Sequence, residues 1–299
     1  MSILNLFKKD VMVSSKKNRF SEPTFRHIHQ VSSSYVENFY EYYAPVFVLN
    51  TGRSGSSFMQ KLLANFPSVD SHHEAHPNLM QFPNYAFHNQ SDTEILKKVF
   101  NGARFELLLN AAIRDTIYVE SNQCLVFFIH QIKDLFPKAK FVHLTRHPGD
   151  FVRSAITKGW HKNDSIWESG RIQMSDQKKW VTLDQIEKLS WVYTATHEYI
   201  EDFKSHFIED VHTVRLEDLT KSTEVLKEML SFMGVNDAFD EKALLEKLSK
   251  KVNQVTVSDE PSNMFKLAEY PRFKDWNMAD QEKLKNFTGS LSKIYDYEL

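Results

Sequence analysis

The chain is short of several things. It has one cysteine, Cys124, which excludes an intrachain disulfide framework and a cysteine zinc cage. It has no excess of either charge: 37 basic and 39 acidic residues leave a formal net charge of −2. A protein that coats nucleic acid needs a basic surface to release counterions from phosphate, so that class is set aside, although a small local anion pocket is not. No apolar run approaches the ~20 residues that cross a bilayer, and the longest, Cys124 to Ile129, is strand- or core-sized. Glycine is scarce, eight in 299 residues, against a norm of about 7%. Two of the eight, Gly52 and Gly55, share one four-residue stretch, which marks a special backbone demand there. There is no internal repeat, so solenoids and propellers are excluded. The first twenty residues carry Lys8, Lys9, Lys16, Lys17 and Arg19, but the apolar group Ile3–Phe7 is short and broken by Asn5. A secretory segment needs a longer apolar core and a small-residue cleavage site, so the expectation is a basic tail on a soluble, cytoplasmic protein.

What is present is an alternation of periods. Pro45–Leu49 reads as a buried strand, and Ser56–Phe66 as a helix with Met59, Leu62, Leu63 and Phe66 on one face. Further helices are expected over about 92–114 and Leu125–Phe136, with strands at Thr116–Val119 and Lys140–Thr145. The stretch Thr157–Trp180 has no period. A helix restarts at Ile186, Leu189 and Tyr193, Val211–Leu216 forms a last strand, and a final helix ends at Gly234. Such alternation means βαβ crossovers and an α/β fold with a mostly parallel sheet flanked by helices. Residues 1–43 read as a tail or lead-in, and 44–299 as a single α/β domain.

Two loops carry chemistry. Between the first strand and helix lies Thr51-Gly-Arg-Ser-Gly-Ser-Ser57. A loop that feeds a helix N-terminus offers free backbone N–H groups and the positive end of the helix dipole, which suits phosphate or sulfate. Arg53 adds a forked cation, and Ser54, Ser56 and Ser57 add hydroxyls around Gly55. A Walker A loop would place lysine right after the second glycine, and Ser56 stands there instead, which counts against an ATP-dependent kinase. The strand Lys140–Thr145 delivers Arg146-His-Pro-Gly-Asp-Phe-Val-Arg-Ser154. Arg146 ends the strand and Ser154 lies two helical turns on, so the pair can converge on one anion.

Together these loops resemble the sulfotransferases that use 3′-phosphoadenylyl sulfate (PAPS) and release adenosine 3′,5′-bisphosphate (PAP). The stretch Val214-Arg-Leu-Glu-Asp-Leu219 and the C-terminal Lys274-Asp-Trp276 are similar to that family as well. The resemblance runs from about Ala44 to the C-terminus and is specific in the two loops. It implies a P-loop-like three-layer fold and sulfuryl transfer to an acceptor hydroxyl or amine. It also implies that Arg53, Ser54, Gly55, Ser56 and Ser57 grip the phosphosulfate while Arg146 and Ser154 hold the 3′-phosphate. The cytosolic branch carries a catalytic lysine and histidine after the second strand, where this chain has Glu120-Ser-Asn122, and its C-terminal glycine–lysine motif is missing. Lys274, with Arg272 and Trp276, is the best C-terminal candidate for a nucleotide contact.

Transfer to a hydroxyl also needs a proton acceptor. Ser71-His-His-Glu-Ala-His-Pro77 gathers three histidines around Glu74, 21 residues after Arg53. In the tyrosylprotein and some glycan branches of the resembling family a glutamate in a similar place is the base. Glu74 is therefore expected to be the catalytic base, with one of His73, His72 or His76 second and Glu120 as an alternative, and Arg53, or else Lys274, is expected to assist the leaving group. His72 and His76 could share a helix face as metal ligands, but Pro77 and a short Val69–Ser71 strand argue for a loop, and no metal is expected. Trp160, Trp167 and Trp180 with Arg171 suggest an acceptor wall or lid, and Asn78–Asn89 an opposite wall. Glycan, lipid, phenol and small alcohol all fit as acceptor. Two competing readings stand beside this one: a P-loop-type small-molecule kinase, and a catalytically inactive nucleotide-binding protein.

Overall fold

The computed structural model describes residues 32–162, 168, 170–240, 243–244 and 270–299. Trp167 and the basic N-terminal segment lie outside them. In chain order the elements are α1 (Ser33–Tyr42), β1 (Val46–Leu49), α2 (Ser56–Leu63), β2 (Val69–His73), α3 (Pro83–His88), α4 (Thr93–Ile113), β3 (Ile117–Ser121), a 3₁₀ segment (Gln123–Phe128), α5 (Ile129–Leu135) and β4 (Lys140–Thr145). There follow α6 (Pro148–Thr157), α7 (Gln177–Thr182), α8 (Gln185–His206), β5 (Val211–Arg215), α9 (Leu216–Leu219), α10 (Thr223–Met233) and α11 (Met278–Ile294). The strands form one sheet in the order β2-β3-β1-β4-β5, and every pairing is parallel.

Strand β1 sits in the middle and is buried at all four positions. Its side chains alternate between two cores, as strand geometry requires. Phe47 and Leu49 join one core with Phe100 of α4, Phe151 of α6 and Tyr193 of α8. Val46 and Val48 join the other with Met59 and Leu62 of α2 and Met229 of α10. Burial on both faces explains why β1 reads as an unbroken apolar run rather than as alternation.

Several boundaries differ from the sequence reading: β3, expected over Thr116–Val119, runs from Ile117 to Ser121, and the last strand stops at Arg215, one residue early. Helix α2 stops at Leu63, yet Phe66 beyond it is still buried, against the ring of Phe239. The expected helix over Leu125–Phe136 divides into a 3₁₀ segment and α5. Asn122 caps this segment through Cys124 N–H, and Cys124 to Phe128 are all buried, so no solvent face fixes a helical period. Strand β2 runs on to His73, two residues beyond the expected strand, because its backbone pairs with β3 up to Ser121. From the lead-in segment, α1 packs Phe39 into the core, and Tyr43 just after α1 donates from its hydroxyl to the Thr116 carbonyl at 2.9 Å.

The chain leaves β1 toward β2 on one side and leaves β4 toward β5 on the other. A crevice therefore opens beyond the carboxyl ends of β1 and β4, where open α/β sheets bind ligands. The two anion loops flank it.

Burial away from this crevice gives a pH dependence. His161 packs edge-on against Trp180, and burial, then the charges of Arg171 and Lys188, lower its pKa from 6.5 to about 3. Burial and the neighbouring His143 hold His197 well below the usual histidine range as well. Both rings are neutral when folded and protonate first in the unfolded chain. Their contribution to stability is intact above pH 6.5 and is lost as pH falls below it, for His161 down toward 3, at about 1.4 kcal/mol per pH unit for each proton taken up. Urea midpoints at pH 7.5 and 5 check this; His161→Asn, which tolerates the residue's positive φ of 54°, should lose less on acidification than the wild type.

Candidate active site

The loop after β1 is built from left-handed backbone: φ is 72° at Gly52, 51° at Arg53 and 94° at Gly55. Gly55 has a second reason, since a Cβ there would stand 2.6 Å from Leu216 Cδ1. Inside the loop, Gly52 N–H donates to Asn50 Oδ1 (2.7 Å), Asn50 Nδ2 donates to the Val48 carbonyl (3.0 Å), and the Thr51 and Ser54 hydroxyls lie 2.6 Å apart. Ser54 is fully buried and its hydroxyl donates to the Gly52 carbonyl at 2.9 Å. Its side chain thus shapes the loop from within. Ser56 and Ser57 instead open α2 at its N-terminus, where the first N–H groups have no acceptor within the helix. His73 Nε2 reaches both hydroxyls, at 2.9 Å from Ser56 and 3.3 Å from Ser57. His73 therefore joins the first anion loop.

Across the crevice, Arg146 donates from NH1 to the Arg53 carbonyl (2.6 Å), and Arg53 Nε donates to Ser154 Oγ (3.1 Å). The three side chains proposed for two anion sites are thus in one hydrogen-bonded group at the ends of β1, β4 and α6. The Arg53 side chain lies on the β4 side of β1. Glu74 follows β2, two strands away on the other side. Arg146 is held from behind by two features with no local sequence signal. The Tyr193 hydroxyl on α8 donates to the Arg146 carbonyl at 2.9 Å, and Glu217 accepts the His147 N–H at 2.9 Å and the Tyr297 hydroxyl at 3.0 Å. The Val214–Leu219 stretch thus places its Glu217 as a brace for this loop. Lys274 is exposed in the 3₁₀ turn Phe273–Asp275, and that turn packs Phe273 where a Cβ on Gly149 would fall. The turn therefore lies against the first residues of α6, two or three beyond Arg146.

Glu74 has φ 48° and is half-buried. Its N–H donates to the Ser121 carbonyl at 3.1 Å, which carries the β2–β3 pairing one step further. Burial, and after it the Glu74 carboxylate, push the Cys124 thiol up to about 12. His72 stacks on Tyr118 next to Asp70, and His76 is exposed. Among the described residues, no cluster of three or more His, Cys, Asp or Glu could hold a metal ion.

Glu120, weighed as an alternative base, is wholly buried and saturated. It accepts from Arg104 Nε (2.6 Å) and NH2 (2.8 Å), the Tyr118 hydroxyl (2.7 Å), Asn122 Nδ2 (3.0 Å) and Ala75 N–H (3.2 Å). A carboxylate with two oxygens and five donors has no lone pair left for an acceptor's proton.

The two expected acceptor walls touch. Asn84 N–H donates to the Gly170 carbonyl, Gln173 N–H donates to Asn84 Oδ1, each at 2.9 Å, and His88 Nε2 lies 2.8 Å from the Gln173 carbonyl. The Arg171 guanidinium stacks 3.5 Å above the Trp160 ring. Between these walls and the first loop remains a cavity of about 40 Å³, bounded by Thr51, Gln123, Cys124, Trp160 and Arg171 among others. That is space for a few waters. A groove of about 600 Å³ along Phe87, Met174 and Trp191 continues from the same two segments to the surface.

The sequence profile of the sulfotransferase family matches residues 45–241. No curated protein matches the chain in sequence. Among solved structures, sulfotransferase STF9 from Mycobacterium avium aligns over 92% of this chain and 82% of its own, with a TM-score of 0.52 and 11% identity. Sulfotransferase STF1 from Mycobacterium tuberculosis aligns over 88% and 81%, with a TM-score of 0.50 and 12% identity. Mouse sulfotransferase SULT7A1, solved in complex with PAP, aligns over 89% and 94%, with a TM-score of 0.47 and 10% identity. The match in sequence profile spans more than half of the chain and includes both anion loops, and the chain belongs to the sulfotransferase family.

Proposed function

We propose that this protein transfers a sulfuryl group from PAPS to an acceptor hydroxyl or amine, with Glu74 as general base and no metal. The observation that carries the reading is the convergence of Arg53, Arg146 and Ser154 at the β1/β4 crevice, opposite the uncapped N-terminus of α2. Two anion holders a few residues apart suit a nucleotide with phosphate at one end and phosphosulfate at the other. The residues present fit such a ligand: left-handed Gly52 and Gly55 bring the backbone close, and Ser56, Ser57 and His73 point polar atoms at the helix start.

The donor supplies an activated sulfur whose bond to the phosphate oxygen is the one that breaks. The chain's part is positioning and charge. The α2 N-terminus, with Ser56 and Ser57, holds the phosphosulfate and stabilises negative charge on it. Glu74 takes the proton from the acceptor oxygen or nitrogen as that atom bonds to sulfur. Arg146 and Ser154 hold the 3′-phosphate; Arg53, expected from the sequence on the phosphosulfate, joins them instead because its Nε bonds to Ser154, and Lys274 contacts the nucleotide from the 3₁₀ turn. The acceptor binds against Asn78–Asn89 and the 170–176 segment, beside the stacked Trp160 and Arg171.

Calorimetric titration with PAP beside ATP and Mg²⁺ tests the reading. Binding of PAP with little of ATP supports it, and the reverse order overturns it in favour of a kinase. Tight PAP binding without transfer to any acceptor would mark an inactive nucleotide-binding protein. Arg146→Ala is expected to weaken PAP binding by roughly 10- to 150-fold, the span of a hydrogen bond to a charged partner worth about 1.5–3 kcal/mol. The same titration reads this loss.

A further inference from the structure

Glu74 occupies a backbone conformation that non-glycine residues rarely adopt, with φ 48°, on a short loop that leaves the edge strand β2. Such a conformation persists only where the surroundings fix it. The surroundings here are specific. Four polar groups of the 74–78 backbone are tied to β3 and α4. Glu74 N–H meets the Ser121 carbonyl (3.1 Å), Ala75 N–H meets Glu120 Oε1 (3.2 Å), the Pro77 carbonyl meets Arg104 NH1 (2.7 Å), and the Asn78 carbonyl meets Asn122 Nδ2 (3.4 Å). Three of the four ties run through one side-chain network. Its centre is the ion pair of Arg104 and Glu120, both at 0% exposure, with Tyr118 and Asn122 donating to the same carboxylate. Burial and the charge of Glu120 hold the Tyr118 phenol well above its usual range, so it stays a donor.

A buried ion pair is weak evidence of stability, since apolar residues of equal volume often serve as well. This pair does what apolar residues cannot. Arg104 has a third arm left for the Pro77 carbonyl after its fork has closed on Glu120, and Glu120 has capacity left for Ala75 N–H. The pair therefore grips the Glu74 loop on both sides of the alanine–proline stretch.

We propose that Arg104 and Glu120 are positioning residues that clamp the Glu74 loop to β3 and so fix the carboxylate that accepts the proton. The inference rests on the reading of Glu74 as base, and its test separates the two. Arg104→Lys keeps the charge opposite Glu120 but cannot fork and reach Pro77 together. Hydrogen–deuterium exchange over residues 72–80 of the full chain is the first readout. The Glu74 and Ala75 amides should exchange about 10-fold faster or more, while β1 and β4 keep their protection, because local opening is governed by the bonds removed. Unchanged exchange in a folded variant overturns the clamp, whether or not the wild type transfers sulfuryl groups. The second readout is turnover, expected to fall about 10- to 100-fold at unchanged PAP affinity, the scale of a reacting group displaced by about 1 Å. The fall should vanish when Arg104→Lys is placed on Glu74→Gln, since the clamp acts only through Glu74. A fall that persists in that background, or faster exchange at wild-type turnover, overturns the positioning role. If Arg104→Lys does not fold, Glu120→Gln, whose single oxygen cannot take both Arg104 nitrogens and the Ala75 N–H as the carboxylate does, carries both readouts, with the same outcomes deciding. Failure of the wild type to bind PAP would instead remove the sulfotransferase reading and leave the exchange result standing.

Discussion

Glu74→Gln should lose about 10²- to 10⁴-fold in turnover, the usual worth of a positioned general base, while PAP affinity stays at the wild-type value. The replacement is nearly isosteric, so the backbone ties of the loop, which involve Glu74 N–H and not its side chain, remain in place. What is lost is the basic carboxylate that takes the acceptor's proton; the amide oxygen that replaces it accepts hydrogen bonds but is too weak a base. The binding machinery is spared because it stands elsewhere: Arg53, Arg146 and Ser154 bond to one another across the β1/β4 crevice, and Ser56 and Ser57 meet His73. Steady-state kinetics beside a PAP titration separates the two properties. Equal turnover in the two proteins would remove Glu74 from the role. His73→Gln then becomes the variant to measure, since His73 touches the hydroxyls at the start of α2.

Arg104→Ala is expected to cost about 3–5 kcal/mol of folding stability, the penalty for leaving one member of a buried ion pair uncompensated. The magnitude follows from burial. Both side chains are at 0% exposure, so water cannot replace the lost partner of Glu120, and the Pro77 carbonyl loses its donor at the same time. An exposed pair gives the contrast: Lys283 with Asp184, at 36% and 43% exposure, is worth about 0–1 kcal/mol or less. Urea unfolding of Arg104→Ala, Lys283→Ala and the wild type checks both values in one experiment. A loss below about 1 kcal/mol for Arg104→Ala would mean that solvent reaches Glu120. Removing both Arg104 and Glu120 should cost less than the sum of the single losses, since the second change deletes the stranded charge.

The contrast between the two predictions reflects how the site is assembled. The residues proposed to carry chemistry come from loops after β1, β2 and β4, and the residues that hold those loops come from elsewhere: Tyr193 from α8, Glu217 from α9, Arg104 from α4. Each acts on a backbone carbonyl or N–H. A loop at the end of a parallel strand has unpaired polar groups by construction, and distant side chains are what satisfy them.

The sequence by itself determined the fold class and picked out the two loops that meet beyond β1 and β4. Strand-sized apolar runs with helical periods between them can pack only as a parallel sheet covered on two sides, and Pro45–Leu49 is buried on both faces as its composition required. Gly52 and Gly55 declared their loop because left-handed backbone is a local property, carried by the residue itself. Arg146 and Ser154 were legible because a strand end and a helix two turns long set their spacing. The strand order was not legible, since it depends on how crossovers stack, and neither was the full extent of β2, whose last residues are in a strand because β3 lies beside them. Side-chain direction belonged to the tertiary structure as well. Ser54 turns inward because Gly52 and Thr51 curl around it, and His73 turns to Ser56 and Ser57 because α2 begins beside the carboxyl end of β2. Glu120 illustrates the division most plainly. Its neighbours in sequence offered a second candidate base, and only the arrival of Arg104 from 16 residues away, with Tyr118, Asn122 and Ala75 N–H around it, left that carboxylate with nothing further to accept.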